Sequence, residues 1–216
     1  MAGPTILATH PERLPPMCYE AARIIRQGGV IAVPTESFYA LAADPLNPAA
    51  VARVAAIKGR PSDKPILVLL ANAAQVSLFA GAPSPLMRAL MEAYWPGALT
   101  LVVPARPGLP SELTAGTGTV GLRWSAHPVL QRIVSATGPL TGTSANRSGA
   151  PPCTRATEVV AACGAEIDLI VDDGATAGGP PSTVLALADR PWLVREGAIS
   201  RASLRESLAS FGGTLA

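Results

Sequence analysis

The sequence predicts an α/β protein: a twisted mixed sheet, parallel and antiparallel, flanked by helices. Three observations lead there. Hydrophobic residues make up 49% of the chain, aromatics only 4% and charged residues 15%, so the interior must be built from Ala, Val, Leu and Ile, which suits sheets buried under helices. Segments with a helical period alternate with apolar runs short enough to be strands. Several of those strands follow one another without a long helix between them, which does not fit a purely parallel doubly wound sheet. At 216 residues one core is large enough to stand without staples, and a single domain over 1–216 is expected, its core about 17–200 and its end, 201–216, a short helix and tail.

Taken in order, residues 1–16 read as a loose, proline-bearing start, and 17–27 as a helix with Met17, Ala21, Ile24 and Ile25 on one side, stopped by Gly28-Gly29. Val30 to Val33 is a buried-strand pattern closed by Pro34, after which Thr35, Glu36, Ser37 and Tyr39 fall where ligands sit in open α/β sheets. Asn47-Pro48 caps a helix running to about Ile57, leaving Lys58, Arg60 and Lys64 on a connection. Ile66 to Leu70, Leu99 to Val103 and Val120 to Trp124 are strands, with helices near 72–80 and 84–94 and a Pro/Gly/Thr-rich loop over 104–119. His127-Pro128 opens a helix to about Ala136, and 140–149 reads as a polar, glycine-bearing turn. A helix at 154–162, a strand at 167–171, a loop at 175–181, paired strands at 182–188 and 192–195 and a helix capped by Ser200 complete the chain.

Net charge is +2, too mild to mark a nucleic-acid binder by bulk charge. Cys18, Cys153 and Cys163 are odd in number and far apart, which indicates reduced thiols rather than disulfides or a zinc site. No basic leader precedes an apolar core and no apolar run approaches the roughly 20 residues that span a bilayer, so a cytoplasmic protein without membrane contact is expected. The two common nucleotide fingerprints, Gly-x-Gly-x-x-Gly and Gly-x-x-x-x-Gly-Lys-Ser/Thr, are missing.

The chemistry-bearing residues each admit a bland reading. Lys58, Arg60 and Lys64 suit a polyphosphate cradle or a solvated turn. Ser144 and Asn146 fix a phosphate or ribose, or merely their own turn. Thr35, Ser37 and Tyr39 face a ligand or cap a strand end. Arg123, inside an apolar strand, demands an anion, either a substrate carboxylate or an internal Asp/Glu. Arg195 poses the same question with Glu196 beside it. Asp172-Asp173 on a glycine turn reads as solvated, His127 as a helix-start residue, and no Ser/His/Asp set assembles.

Read together, Pro34-Thr35-Glu36-Ser37-Phe38-Tyr39, Ile57-Lys58-Gly59-Arg60-Pro61, Trp95-Pro96-Gly97-Ala98-Leu99-Thr100, Val120-Gly121-Leu122-Arg123, Thr143-Ser144-Ala145-Asn146, Ser182-Thr183-Val184 and Arg195-Glu196-Gly197-Ala198-Ile199 resemble the YrdC-like family of threonylcarbamoyl-AMP synthases, in order across 17–200. The resemblance implies a twisted sheet with a concave basic face. It implies an enzyme that turns L-threonine, bicarbonate and ATP into threonylcarbamoyl-AMP and pyrophosphate, with Mg²⁺ arriving on the ATP phosphates and no metal held by the protein alone. It implies tRNA and a downstream threonylcarbamoyl-transferase complex as partners. By motif, Lys58 and Arg60 resemble the catalytic pair; these two with Thr119, Ser144, Asn146 and Arg195 resemble the nucleotide contacts; Thr35, Arg123 and Ser182 resemble the threonine contacts. Two departures stand out: Tyr39-Ala40-Leu41-Ala42 replaces the usual Tyr-Gly-Leu-Gly, and Leu69 stands where some members carry His. A non-catalytic tRNA or double-stranded-RNA-binding domain is the alternative, opposed by the scarcity of aromatic stacking residues.

Overall fold

The computed structural model of the chain describes residues 3–59, 65–188 and 190–215. The first half runs β1 (Thr5–Ala8), α1 (Leu14–Arg26), β2 (Ile31–Pro34), β3 (Tyr39–Ala42), α2 (Pro48–Lys58), β4 (Leu67–Leu70), α3 (Pro85–Tyr94) and β5 (Leu99–Pro104). It continues with α4 (Ser111–Thr114), β6 (Thr119–Trp124), α5 (Pro128–Thr137), β7 (Leu140–Ser144), α6 (Ala156–Cys163), β8 (Leu169–Asp172), β9 (Thr183–Ala186), β10 (Trp192–Arg195) and α7 (Arg201–Ser210). The strands form one sheet in the order β1-β8-β2-β3-β7-β4-β6-β5-β9-β10. Its pairs are parallel at β1/β8, β2/β8, β4/β6 and β5/β9 and antiparallel at β2/β3, β3/β7, β4/β7, β5/β6 and β9/β10, so the sheet is mixed as the strand successions demanded.

The helix signals in the sequence act through their caps. Asn47 Oδ1 accepts from the Ala50 N–H at 3.2 Å, Ser84 Oγ from Met87 at 3.1 Å and Ser200 Oγ from Ser203 at 3.1 Å, with proline opening α2 and α3. Three strands differ from expectation. β1 lies in the stretch expected to be loose, paired only with β8 at the sheet edge and largely exposed, so its apolar pattern is weak. β3 is four buried residues that start at Tyr39, where the sequence reading placed no strand. β7 occupies the first half of the expected turn: Leu-Thr-Gly-Thr-Ser looks like a loop, yet its backbone is laddered to β3 and β4 on both sides. The segment near 72–80 is a 3-10 helix over Ala73–Leu78, and the 104–119 loop contains the single turn α4.

Two apolar layers fix where a ligand can sit. One face of the sheet is covered along its length: Val68 and Leu70 of β4, Leu122 of β6, Leu99 and Leu101 of β5 and Leu185 of β9 pack with residues of α2, α3, α6 and α7. On the other face, α1 and α5 bury Ile31, Val33, Leu140, Leu169 and Val171, and this second layer reaches no farther than Leu69. Beyond it, the β4–β6–β5–β9–β10 half of the sheet is open.

Candidate functional site

The open half of the sheet floors a cleft of about 1230 Å³. Leu67 and Leu69 of β4, Gly121 and Arg123 of β6, Val102 of β5 and Val184 of β9 line it, the alternate residues facing the covered core, as the two-residue period of a strand requires. Gly142 keeps the floor low: a Cβ there would meet Leu69 Cγ at 2.6 Å and Leu67 Cδ1 at 2.8 Å. Lys58, Arg123 and Arg195 line the cleft, with no Asp or Glu among the described lining residues.

At one end sits Lys58, which is the last residue of α2 rather than part of the following connection. Gly59, at φ 57°, closes the helix in the left-handed conformation and turns the chain away. Buried at the helix's negative end, the Lys58 ammonium donates to Ser144 O (2.6 Å), Asn146 O (3.0 Å), Ser144 Oγ (3.3 Å) and Asn146 Oδ1 (3.4 Å). The Lys58 carbonyl accepts from the Ser148 N–H at 2.7 Å. The Asn146 amide donates to Arg147 O at 2.9 Å and Ala150 O at 2.6 Å, and Arg147 in turn donates to Ile57 O and pairs with Glu166. The loop after β7 is therefore stitched to the end of α2 by charge-assisted bonds. Arg60 and Lys64 lie outside the described residues.

The other end is built round two arginines. Arg123, with a nearly buried side chain, donates from Nε to Gly97 O at 2.9 Å and from Nη2 to Glu36 Oε2 at 2.6 Å. The anion demanded by an arginine in an apolar strand is thus an internal carboxylate. Glu36 also accepts from Ser125 Oγ at 2.8 Å and from the Ala126 N–H at 2.6 Å. Burial pushes the Glu36 carboxyl up, but the Arg123 charge and the hydrogen bonds from its own backbone, Ala126 and Ser125 outweigh it, and the net shift is downward. Arg195 Nη2 turns to Ser182 O (2.9 Å) and Ser182 Oγ (3.4 Å) instead of to Glu196, whose carboxylate accepts from the Arg201 N–H. Ser182 Oγ shares a hydrogen bond with Thr100 Oγ1 at 3.0 Å. Burial and then the charge of nearby Arg123 hold the Arg195 guanidinium below its ordinary value.

Comparison with known proteins places this geometry. The Sua5/YciO/YrdC family, described as "Telomere recombination", matches residues 23–197. The chain belongs to that family. As a Sua5/YciO/YrdC protein it is 40% identical over 189 residues to a Bacillus subtilis protein named threonylcarbamoyl-AMP synthase, covering 86% of this chain and 55% of that one. A Thiobacillus denitrificans protein of the same name is 41% identical over 165 residues, 76% of this chain and 87% of its own. The structure of P. abyssi Sua5 complexed with L-threonine superposes with a TM-score of 0.89 at 31% identity, over 98% of this chain and 62% of that chain. The chain thus spans little more than half the length of the Bacillus subtilis relative.

Within this Sua5/YciO/YrdC fold, Thr35, Thr119, Ser144, Asn146, Ser182 and Arg195 line the same cleft as Lys58 and Arg123. Their hydroxyls are already engaged with the protein. Thr35 Oγ1 donates to Phe38 O at 2.7 Å and accepts from the Ser37 and Phe38 N–H groups at 3.3 Å, so the strand-end cap is real. Thr119 shares a hydrogen bond with Thr117 at 2.9 Å, and Ser37 donates to Pro180 O at 3.0 Å. Tyr39, for which a ligand-facing hydroxyl and a strand-end cap were both open, lines the cleft but sends its hydroxyl to Gly174 O at 2.8 Å and accepts from the Asp173 N–H at 3.1 Å; burial, first, and the neighbouring carboxylates push its pKa up to about 12. Nor is Asp172-Asp173 a solvated turn: Asp172 accepts from the Gly174 N–H, and Asp173 accepts from Thr9 and faces His127 Nε2 at 3.6 Å. Sequence reasoning placed Glu36 at the ligand end of a strand without giving it a role and passed over Ser125; the signal that Glu36 is a partner was the charge of Arg123 inside an apolar strand.

Proposed function

We propose that this protein is an L-threonylcarbamoyl-AMP synthase, taking L-threonine, bicarbonate and ATP to threonylcarbamoyl-AMP, pyrophosphate and water. The observation that carries this reading is the single cleft in which Lys58 with Ser144 and Asn146, and Arg123 with Ser182 and Arg195, stand at opposite ends of an apolar floor. The threonine amine and bicarbonate condense to a carbamate with loss of water. A carbamate oxygen then attacks the α-phosphorus of ATP, and the bond to the pyrophosphate breaks. Such a reaction asks the protein to align reactants and to meet charge developing on phosphate, which fixed cations and N–H groups do without a nucleophile from the protein.

In this reading Lys58 and Arg60 are the catalytic cations, and Thr119, Ser144, Asn146 and Arg195 complete the nucleotide contacts. Thr35, Arg123 and Ser182 hold L-threonine. Leu69, in register with Arg123, offers the amino acid an apolar wall where some relatives carry His. The described residues contain no group of three or more His, Cys, Asp or Glu that would hold a metal ion, and the described lining has no carboxylate. Mg²⁺ would thus come as part of the substrate, bound by phosphate oxygens and water. The product is a reactive mixed anhydride, which a threonylcarbamoyl-transferase complex acting on tRNA would consume in the cytoplasm. Among the described residues no helix is long and apolar enough to cross a membrane.

The deciding experiment is pyrophosphate release from ATP and bicarbonate, with and without L-threonine. Release that depends on both threonine and bicarbonate is the expected result. Release indifferent to threonine, or salt-sensitive tRNA binding with no ATP turnover, would remove the assignment.

A further inference from the structure

Arg123 and Arg195 are close enough for the charge of one to depress the other, yet the protein treats them differently. Arg195 donates to the neutral oxygens of Ser182, and among the described residues no carboxylate pairs with it. Arg123 is held by Glu36, and Glu36 is itself pinned from three directions: by the guanidinium, by the Ser125 hydroxyl and by the Ala126 N–H. A carboxylate so fixed does two things to an arginine. It freezes one of many rotamers of a long side chain, and it cancels the charge. The two bonds from Nε and Nη2 use two of the five N–H donors of a planar fork that lines the cleft. The result is a seat with hydrogen-bond donors but little net charge, beside a second arginine that no carboxylate among the described residues pairs with.

A zwitterionic amino acid and a phosphate respond oppositely to such a seat. The amino-acid carboxylate needs aimed donors and brings its own cation; a phosphate gains mainly from uncompensated positive charge. We propose that Glu36 is a positioning and specificity-determining residue: by fixing Arg123 and neutralising it, Glu36 makes the Arg123 position a seat for an amino acid and a poor seat for phosphate, which is left to Arg195 and the Lys58 end. This rests on the functional reading above and adds to it the group that keeps the two substrates apart.

The test is Glu36→Gln in the full chain, which keeps the shape and removes the charge. The expected result is a KM for L-threonine raised about tenfold, with kcat at saturating threonine and KM for ATP within about twofold of the parent. Inorganic phosphate should become a competitive inhibitor against threonine in the variant alone. Glu36→Asp, which retains the charge, should keep phosphate out while showing an intermediate KM. Equal rises in both KM values, or a variant that neither loses threonine affinity nor admits phosphate, would overturn the proposal. If Glu36→Gln does not fold, Ser125→Ala loosens the same carboxylate, and a smaller rise in the threonine KM is expected; an unchanged one counts against it. Should the parent show no threonine-dependent pyrophosphate release, the functional reading fails separately. Calorimetric titration with inorganic phosphate then decides the Glu36 proposal, since tighter phosphate binding by Glu36→Gln than by the parent supports it and equal binding refutes it.

Discussion

The two ends of the cleft use cations in opposite senses. Lys58 organises the chain around it: its ammonium gathers two backbone carbonyls, a hydroxyl and an amide oxygen from the loop after β7, at the carbonyl end of α2 where a positive charge is already favoured. Arg123 is instead organised by the chain, through Glu36, Ser125 and Ala126. Lys58 therefore couples ligand binding to loop structure, whereas the Arg123 end has its geometry set before a ligand arrives. Removing the first should cost stability and activity together, and changes at the second should fall on substrate affinity.

The largest effect is expected for Lys58→Met. The substitution leaves the buried Ser144 and Asn146 oxygens without their charged donor, a loss of about 3 kcal/mol in unfolding free energy by urea titration. Turnover should fall roughly a hundredfold through the displaced loop. Full stability with lost activity would break the comparison, since Lys58 would then serve the ligand alone. Arg195→Gln comes next. Most of the Arg195 residue lies at the surface although its guanidinium is partly shielded against Ser182, so melting should move little, while kcat/KM for ATP should drop about tenfold for one charge-assisted contact. If the threonine KM moves instead, Arg195 belongs with Ser182 at the amino-acid end.

Much of this was readable from the chain, and what was not has physical causes that differ from place to place. Caps at Asn47, Ser84 and Ser200 are local, so α2, α3 and α7 fall where the residues say. β7 was hidden because a central strand is defined by backbone ladders on both sides, and Leu-Thr-Gly-Thr-Ser carries almost no side-chain signal of them. The open face was hidden for the opposite reason. Leu67 to Leu70 is apolar throughout, so the pattern cannot say that Leu67 and Leu69 line a cleft while Val68 and Leu70 line a core. For Arg123 the sequence states that an anion is required, but only the approach of the β2–β3 connection to β6 selects Glu36. Lys58, Ser144 and Asn146 were nominated by residue type and motif. That the cation grips the loop, rather than standing beside it, follows from burial of the Lys58 side chain.

The smallest expected effect lies behind the Arg123 end, where His127 and Glu36 share the start of α5. Burial, the larger cause, lowers the His127 pKa although Asp173 and Glu36 pull it upward, and among the described residues its Nδ1 is buried without a hydrogen-bond partner. In the window just below the ordinary imidazole value near 6.5, the unfolded chain then binds a proton that the folded chain resists. Unfolding free energy must accordingly rise with pH through that window and level off above it. Glu36 acts in the same direction lower down: its depressed carboxyl stabilises the fold above the ordinary carboxylate range near 4.5 and loses that contribution as pH falls through its folded value. Urea titrations from about pH 8 down to about pH 2 should show both declines on acidification, the Glu36 one below about pH 4.5. His127→Gln should flatten the upper one and leave the lower in place, while Glu36→Gln does the reverse. Loss of both in either variant would mean that the two groups titrate as a unit, and the neutral seat at Arg123 would then extend its control to His127.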